Sequence, residues 1–342
     1  MLQLRHIMSN SRLGYIDALR GMMIFLVVCS HVALWMDHSD AFVDFFLPLR
    51  MPLFFFVSGF LAWADYDKAM LKRRCSNRFW KQLYPTLFIL LIYTFITGRN
   101  LKSVFFDTYK AGYWFTMSLF SAFIFFAIIA YLIHRSRCSR KQTLAILSAV
   151  VVSIGLIGFV LKVLYMDFFS LPAVCLLSFN TTLSLTPYFF LGAIAKLYRP
   201  ELERYLDNSY LIIAAAIVYT SSIFINYQVV KPFLSCVGIV AMFGLFYKTR
   251  KVWQNDGSTA VAALRYMGGK TLQIYLLQYF ILDLMVIVAP HIGFSFTASE
   301  PLNIVMIIVP ALIVIALCLS LDWLLRQVPP LYKFIFHEQK NR

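Results

Sequence analysis

The stretch DALRGMMIFLVVCSHVALW, residues 17–35, decides the fold of this chain. It is a mostly apolar segment, close to the roughly 20 residues that an α-helix needs to cross a bilayer. Three ionisable side chains interrupt it, namely Asp17, Arg20 and His31. Charge inside a membrane segment is costly and usually serves a function. The stretch therefore predicts a membrane helix that carries a candidate site.

The spacing of these three residues predicts a polar stripe along one side of that helix. Arg20 and His31 are eleven residues apart, which is almost three full helical turns, or about 16 Å along the axis. Asp17 lies three residues before Arg20, at a spacing that allows an ion pair on the same face. We therefore expect an ion pair at one depth and an imidazole about 16 Å farther along.

The composition of the whole chain extends this pattern. Of its 342 residues, 61% are hydrophobic and 14% are charged, whereas a soluble domain is about half apolar and a quarter charged. The repeated apolar runs predict an all-α fold, a polytopic membrane bundle that forms a single domain over residues 1–342. The net charge of +15 does not indicate nucleic acid, because the basic residues fall in short blocks between apolar runs. Such blocks are typical of cytoplasmic loops.

About ten transmembrane helices are predicted from the apolar runs. They lie near residues 15–36, 45–64, 84–97, 113–133, 143–164, 182–197, 210–227, 233–247, 271–289 and 302–325.

The basic residues predict the orientation of the bundle. If both termini are cytoplasmic, most Lys and Arg residues lie on the cytoplasmic side, as the positive-inside rule requires. The first apolar run lacks a small-residue cleavage site, so we expect a retained helix and not a signal peptide. The exceptions, predicted on the outer side, are Arg50, Arg99, Lys102, Lys110, Lys162 and Lys231.

The cysteines give no sign of a metal site, and no metal is predicted. They show no CxxC or similar ligand spacing, and most lie within apolar runs, where a small packing residue is the expected role. They are Cys29, Cys75, Cys138, Cys175, Cys236 and Cys318.

Five motifs follow one another along the chain. YIDALRGMMIFLVVCSH (15–31) contains an Arg, ten residues and a His, and RMPLFFFVSGF (50–60) comes next. YWFTMSLF (113–120), TPYFFLGAIAKLY (186–198) and GGKTLQIYLLQYF (268–280) complete the series. In sequence and order these motifs resemble the acyltransferase-3 family of membrane acyltransferases, and the resemblance covers nearly the whole chain. One position departs from it, since many relatives carry His where this chain has Gln278.

The resemblance implies acyl transfer from a cytoplasmic acyl-CoA, acetyl-CoA foremost, to a hydroxyl of a cell-surface or lipid-linked glycan. It also implies a multi-pass protein of the bacterial inner membrane. The expected partners are the acyl-CoA donor, the glycan or lipid-linked sugar acceptor and membrane lipid, without nucleic acid.

The polar stripe is compatible with that chemistry. Acyl-CoA carries phosphates and cannot cross lipid unaided, so it would arrive at the cytoplasmic end, near Arg20, and present its thioester near His31. An imidazole has a suitable pKa for taking the hydroxyl proton near neutral pH, so His31 is the predicted general base. A covalent acyl-histidine intermediate is an open alternative.

Arg20, in the first helix, and Arg50, in the second, each have two possible kinds of role. Arg20 either handles the donor or orients the site through Asp17, or else the Asp17–Arg20 pair simply lowers the cost of both charges near lipid. Arg50, predicted at the outer end of the second helix, either binds the acceptor or stabilises the oxyanion of the reaction. Alternatively, it extends to the lipid headgroups.

Substrate-binding candidates also lie farther along the chain. The basic run that contains Arg74, Arg78 and Lys81 either binds the phosphates of CoA or reflects membrane topology alone. Trp114 either lines the acceptor path, where its ring would stack on a sugar, or belongs to an interfacial aromatic belt. Gly59 is expected to permit close packing of helices.

Two other classes of function compete with the enzyme. A transporter or flippase of a glycan or acyl intermediate also uses ionisable residues and proline-broken helices within the membrane. A scaffold of an envelope complex would leave the Arg20–His31 stripe without a purpose. Labelling of an acceptor that depends on acyl-CoA separates the enzyme from both.

Overall fold

The computed structural model describes residues 13–36, 41–164, 171, 174–175, 178–221, 231–254, 257–288, 291 and 300–337. Of these residues, 89% are helical and none forms a strand. In chain order the α-helices are α1 (Gly14–Trp35), α2 (Ala41–Ala62), α3 (Lys68–Arg78), α4 (Tyr84–Ile96), α5 (Leu101–Phe106), α6 (Trp114–Arg135), α7 (Arg140–Leu164), α8 (Phe179–Leu197), α9 (Arg199–Leu206), α10 (Ser209–Thr220), α11 (Lys231–Lys248), α12 (Arg250–Gln254), α13 (Thr259–Gly269), α14 (Thr271–Val288), α15 (Glu300–Arg326) and α16 (Pro329–Phe336).

Within the described residues, eight helical segments are long and apolar enough to cross a membrane, which confirms the predicted polytopic helical fold. One of them, Lys68–Ile96, is continuous from α3 through a π-helical turn at Phe79–Leu83 into α4. The basic run thus begins a membrane helix. The other segments are α1, α2, α6, α7, α11, α14 and Asn303–Arg326.

The remaining two predicted spans correspond to α8 and α10. Helix α10 covers twelve described residues, and the predicted end of that span at 227 lies outside the described residues. The total of ten spans and the cytoplasmic position of both termini therefore stay predictions.

The chain separates into two compact units. The first contains residues 1–50 and 203–319, and the second contains residues 51–202 and 320–342. Because α2 and α15 each cross a unit boundary along the chain, both contribute to each unit. The single domain expected over 1–342 stays a prediction.

In the first unit, α1 packs against α13 at two glycines. A Cβ atom at Gly21 would lie 1.9 Å from the carbonyl oxygen of Leu264. Reciprocally, a Cβ atom at Gly268 would lie 1.8 Å from the carbonyl oxygen of Asp17. The two backbones are thus in direct contact, which only glycine permits. Helix α14 follows α13 and also packs on α1, so the same crossing positions α14 beside His31.

The second unit has an equivalent crossing between α2 and α8. A Cβ atom at Gly59 would lie 1.8 Å from the carbonyl oxygen of Phe189, and one at Gly192 would lie 1.9 Å from that of Phe56. The close packing that the sequence predicts at Gly59 is confirmed.

The segment between α5 and α6 is held by a buried lysine. The Nζ atom of Lys110 donates to the carbonyl oxygens of Phe105 (2.8 Å), Asp107 (3.1 Å) and Cys175 (2.6 Å). Burial lowers the pKa of Lys110. Three carbonyl acceptors compensate the buried ammonium and fix the backbone just before Trp114, the first residue of α6.

Candidate active site

His31 lies in the last turns of α1, where α14 contacts it. Its Nδ1 atom lies 3.1 Å from Oε1 of Gln278. The imidazole also packs against the rings of Trp35 and Tyr279, at centroid distances of 5.9 Å and 5.4 Å. The residue as a whole is partly exposed, and these three side chains hold its ring in place.

Gln278 is fully buried. Its Nε2 atom donates to the carbonyl oxygen of Tyr275, one turn earlier in α14, at 3.1 Å. The amide therefore bridges the backbone of α14 and the imidazole of α1. The residue that departs from the family resemblance is in this structure the hydrogen-bond partner of the candidate base.

A second pair of side chains joins the same two helices near His31. The indole Nε1 of Trp35 donates to Oδ1 of Asp283 at 2.8 Å. The rings of Trp35 and Tyr279 pack 5.6 Å apart. This contact gives the Asp283 carboxylate a polar partner within the membrane helix and fixes the indole beside the imidazole.

Arg50, also in the first unit, carries donor groups without acceptors. Its Nε and Nη1 atoms are buried, and neither has a hydrogen-bond partner among the described residues. The guanidinium lies within electrostatic range of His31, Asp44 and Tyr279. A buried donor without an acceptor is unfavourable, so a substrate oxygen that reached these atoms would bind favourably.

The predicted ion pair at the start of α1 is present. Nη1 of Arg20 lies 3.7 Å from Oδ1 of Asp17. Asp17 is buried, whereas about a third of the Arg20 side chain is exposed, at 32%. Because Asp17 lies where α13 crosses α1, the pair stands at a helix contact as well as on the polar stripe.

In the second unit, neutral groups orient two arginines of the basic run. Nη1 of Arg74 donates to the carbonyl oxygen of Ala62 (2.8 Å) and to the Tyr66 hydroxyl (3.1 Å). Nη1 of Arg78 donates to Oε1 of Gln82 at 2.8 Å.

Gln82 and Phe123 hold the guanidinium of Arg78. Gln82, within the π-helical turn, is buried and donates its Nε2 proton to the carbonyl oxygen of Thr116 in α6 at 2.9 Å. The guanidinium of Arg78 also lies 4.9 Å from the ring centroid of Phe123. Gln82 lies four residues after Arg78, so the two side chains share one face of the helix.

The other two predicted binding residues are less constrained. The Lys81 side chain is exposed, and no hydrogen bond or ion pair holds it within the part of the chain that the structure describes. Trp114 is partly exposed and contacts the rings of Tyr109 and Phe115, at 6.5 Å and 6.2 Å.

The predicted site residues thus fall into two sets. The first unit holds Asp17, Arg20, His31 and Arg50, and the second holds Arg74, Arg78, Lys81 and Trp114. No group of three or more His, Cys, Asp or Glu residues that could hold a metal ion occurs in the described ranges.

Fold and site together define a multi-pass helical membrane protein with a histidine held at a contact between two membrane helices. Residues 13–322 match the acyltransferase-3 family, whose model is described as an acyltransferase domain. Because the match covers nearly the whole chain, the protein belongs to this family and is a membrane acyltransferase. Neither a curated protein nor a solved structure matches the chain.

Proposed function

We propose that the protein is an O-acyltransferase of the bacterial inner membrane. It moves an acyl group, foremost acetyl, from cytoplasmic acyl-CoA to a hydroxyl of a cell-surface or lipid-linked glycan. The observation that carries this proposal is the contact between the imidazole of His31 and the buried amide of Gln278. The same imidazole lies within electrostatic range of a guanidinium that has two unpartnered donors.

His31 is the general base of the proposed reaction. It takes the proton of the acceptor hydroxyl as the oxygen attacks the thioester carbonyl. A carbon–oxygen bond forms, and the carbonyl oxygen becomes an oxyanion. When the oxyanion collapses, the carbon–sulfur bond breaks, and the imidazolium protonates the leaving thiolate of CoA. A covalent acyl-histidine route uses the same residue as the nucleophile.

Arg50 is the proposed electrophilic group of the reaction. Donors aimed at the place where negative charge develops stabilise an oxyanion in a site that excludes water. The unpartnered Nε and Nη1 atoms of Arg50 are donors of that kind. An acceptor hydroxyl bound at the same atoms is the alternative role.

We expect R50K to lower kcat by about tenfold to a hundredfold while KM for acyl-CoA changes little. Removing an oxyanion donor costs about a hundredfold or more, and Lys keeps the charge but loses the planar set of donors of Arg. R99K is the matched control, since the exposed Arg99 lies in the connection after α4. Steady-state transfer of labelled acetyl groups measures both. An R50K enzyme with the wild-type kcat would remove Arg50 from the chemistry.

Arg74 and Arg78 are the proposed contacts for the donor phosphates. They lie one helical turn apart on α3, and each is oriented by neutral acceptors. An oriented guanidinium binds phosphate with paired donors, whereas the exposed Lys81 contributes only a mobile charge.

The variant R78Q is expected to raise KM for acyl-CoA by about tenfold with kcat nearly unchanged, because a lost ground-state contact weakens binding without affecting the chemical step. R73Q, which removes an exposed charge from the same run, is the matched control. Initial rates at varied acyl-CoA concentration give KM and kcat for both variants and the wild type. Equal effects of the two variants would indicate general attraction by the basic surface.

The remaining predicted residues have supporting roles in the proposal. Arg20 binds the donor or orients the site, and its ion pair with Asp17 lowers the free-energy cost of the Arg20 charge near lipid. The partly exposed ring of Trp114 stacks on the acceptor sugar.

The direct test reconstitutes the purified protein in sealed proteoliposomes with labelled acetyl-CoA and a glycan fraction from the source cell. Label on the glycan is the expected result. If the protein neither transfers an acyl group from any of several acyl-CoA donors nor binds them, the proposal is overturned and a transporter or flippase is favoured.

A further inference from the structure

The amide of Gln278 is fixed in one orientation by its two partners. One partner is the carbonyl oxygen of Tyr275, which can only accept a hydrogen bond. The amide must therefore present its Nε2 donor to Tyr275, as the distance of 3.1 Å records. Its Oε1 atom is then left to face Nδ1 of His31 at 3.1 Å.

This orientation determines where the proton of a neutral His31 resides. Oε1 of Gln278 can only accept, so Nδ1 must donate and must carry the proton. A neutral imidazole has one N–H group, and Nε2 is therefore the nitrogen with the free lone pair. Gln278 is the only hydrogen-bond partner of the His31 ring within the described residues.

We infer that Gln278 is a positioning residue that holds His31 as the Nδ1–H tautomer, so that Nε2 is the atom that receives the acceptor proton. The second half of this inference rests on the proposed function. The first half, the tautomer, is a property of the folded protein alone.

The residues around Gln278 and His31 also restrict the orientation of the imidazole. Gln278 is fully buried, so water does not compete for its amide. Tyr279, the next residue of α14, packs against the imidazole at 5.4 Å, and Trp35 packs against it at 5.9 Å. The two rings limit rotation of the imidazole about its side-chain bonds, and the amide selects between its two nitrogens.

Nitrogen-15 NMR of histidine-labelled protein tests the tautomer directly, because protonated and unprotonated ring nitrogens resonate far apart. The chain has six histidines, and the difference between the wild-type and H31A spectra assigns those of His31. At a pH at which the ring is neutral, we expect a protonated Nδ1 and an unprotonated Nε2. A wild-type ring protonated on Nε2 overturns the inference, whatever the activity.

Two variants test the part played by Gln278. Leucine in Q278L cannot accept from Nδ1, so the His31 spectrum should change to a mixture of tautomers. Glutamic acid in Q278E can donate its carboxyl proton to Tyr275 and still accept from Nδ1, so the wild-type tautomer should persist. Q273L is the matched control, since Gln273 is a buried glutamine of the same helix. An unchanged tautomer in Q278L overturns the inference.

Kinetics separate positioning from a general structural role. Q278L should lower kcat by about tenfold to a hundredfold, as expected when part of the contribution of a general base is lost, and should leave KM for acyl-CoA nearly unchanged. Q278E should recover most of that loss, and Q273L should stay near wild type. If the tautomers behave as expected but neither the wild type nor any variant transfers acyl groups, the proposed function fails while the tautomer assignment stands.

Discussion

The variant H31A is expected to fold normally and to lose acyl transfer almost completely. A general base contributes about a hundredfold to ten-thousandfold to the rate, and alanine leaves no group that could accept the hydroxyl proton. The loss should appear in kcat. Transfer of labelled acetyl groups to glycan measures it, with thermal unfolding in detergent as the check on folding.

H134A is the matched control for this experiment. His134 is exposed in the last turn of α6, so its removal should leave the rate near wild type. If H31A retains activity within a few-fold of wild type, another group is the base. Incubation of the wild type with labelled acetyl-CoA and no acceptor, followed by denaturation, distinguishes the two routes, since only an acyl-histidine route leaves label on the protein.

The sequence was sufficient for the parts of the site that depend on one helix. Apolar length predicts α1, and the cost of burying charge singles out Arg20 and His31 within it. The three-residue spacing predicts the Asp17–Arg20 pair, which the structure places at 3.7 Å. Each of these inferences uses local spacing, and local spacing is visible in a sequence.

The partners of His31 were not predictable in the same way. Gln278 is 247 residues from His31, and Asp283 is 248 residues from Trp35. Both contacts exist because α1 and α14 pack together. A local sequence pattern does not predict which faces of two apolar helices are in contact. The one signal was the motif in which Gln278 departs from the family resemblance.

The basic run illustrates a second limit. Arg74, Arg78 and Lys81 look alike in sequence, since each is a cation near the start of a membrane helix. Their contacts separate them, because Arg74 donates to Ala62 and Tyr66, Arg78 donates to Gln82, and Lys81 is exposed. The composition of the run alone does not indicate which of these cations is held by neighbouring groups.

The substitution of Gly21 by alanine is expected to be severely destabilising, although it adds only one methyl group. That carbon would lie 1.9 Å from the carbonyl oxygen of Leu264 and 2.8 Å from the carbon of the same group. Both are backbone atoms of α13, so no side-chain rotation relieves the overlap. Overpacking of this kind costs about 3 kcal/mol or more when backbones must separate, and we expect a large loss of monodisperse protein and a much lower Tm.

G155A is the matched control, and its effect should have the opposite sign. Gly155 lies within the membrane helix α7, and a Cβ atom there would have nothing within 4 Å. Alanine is the better helix former by about 1 kcal/mol, so G155A should be as stable as wild type or slightly more stable. A G21A protein with the same Tm as the wild type would show that α1 and α13 are not in backbone contact in the membrane.

Partial separation of α1 from α13 should also affect activity before the fold is lost. Only Lys270 stands between the end of α13 and the start of α14, so a displacement of α13 is passed on to Gln278. The 3.1 Å contact between Gln278 and His31 would then lengthen. In the fraction of G21A that folds, kcat should fall towards that of Q278L while KM for acyl-CoA stays near wild type. If the folded fraction keeps the wild-type kcat, the glycine crossing supports the fold without positioning the base.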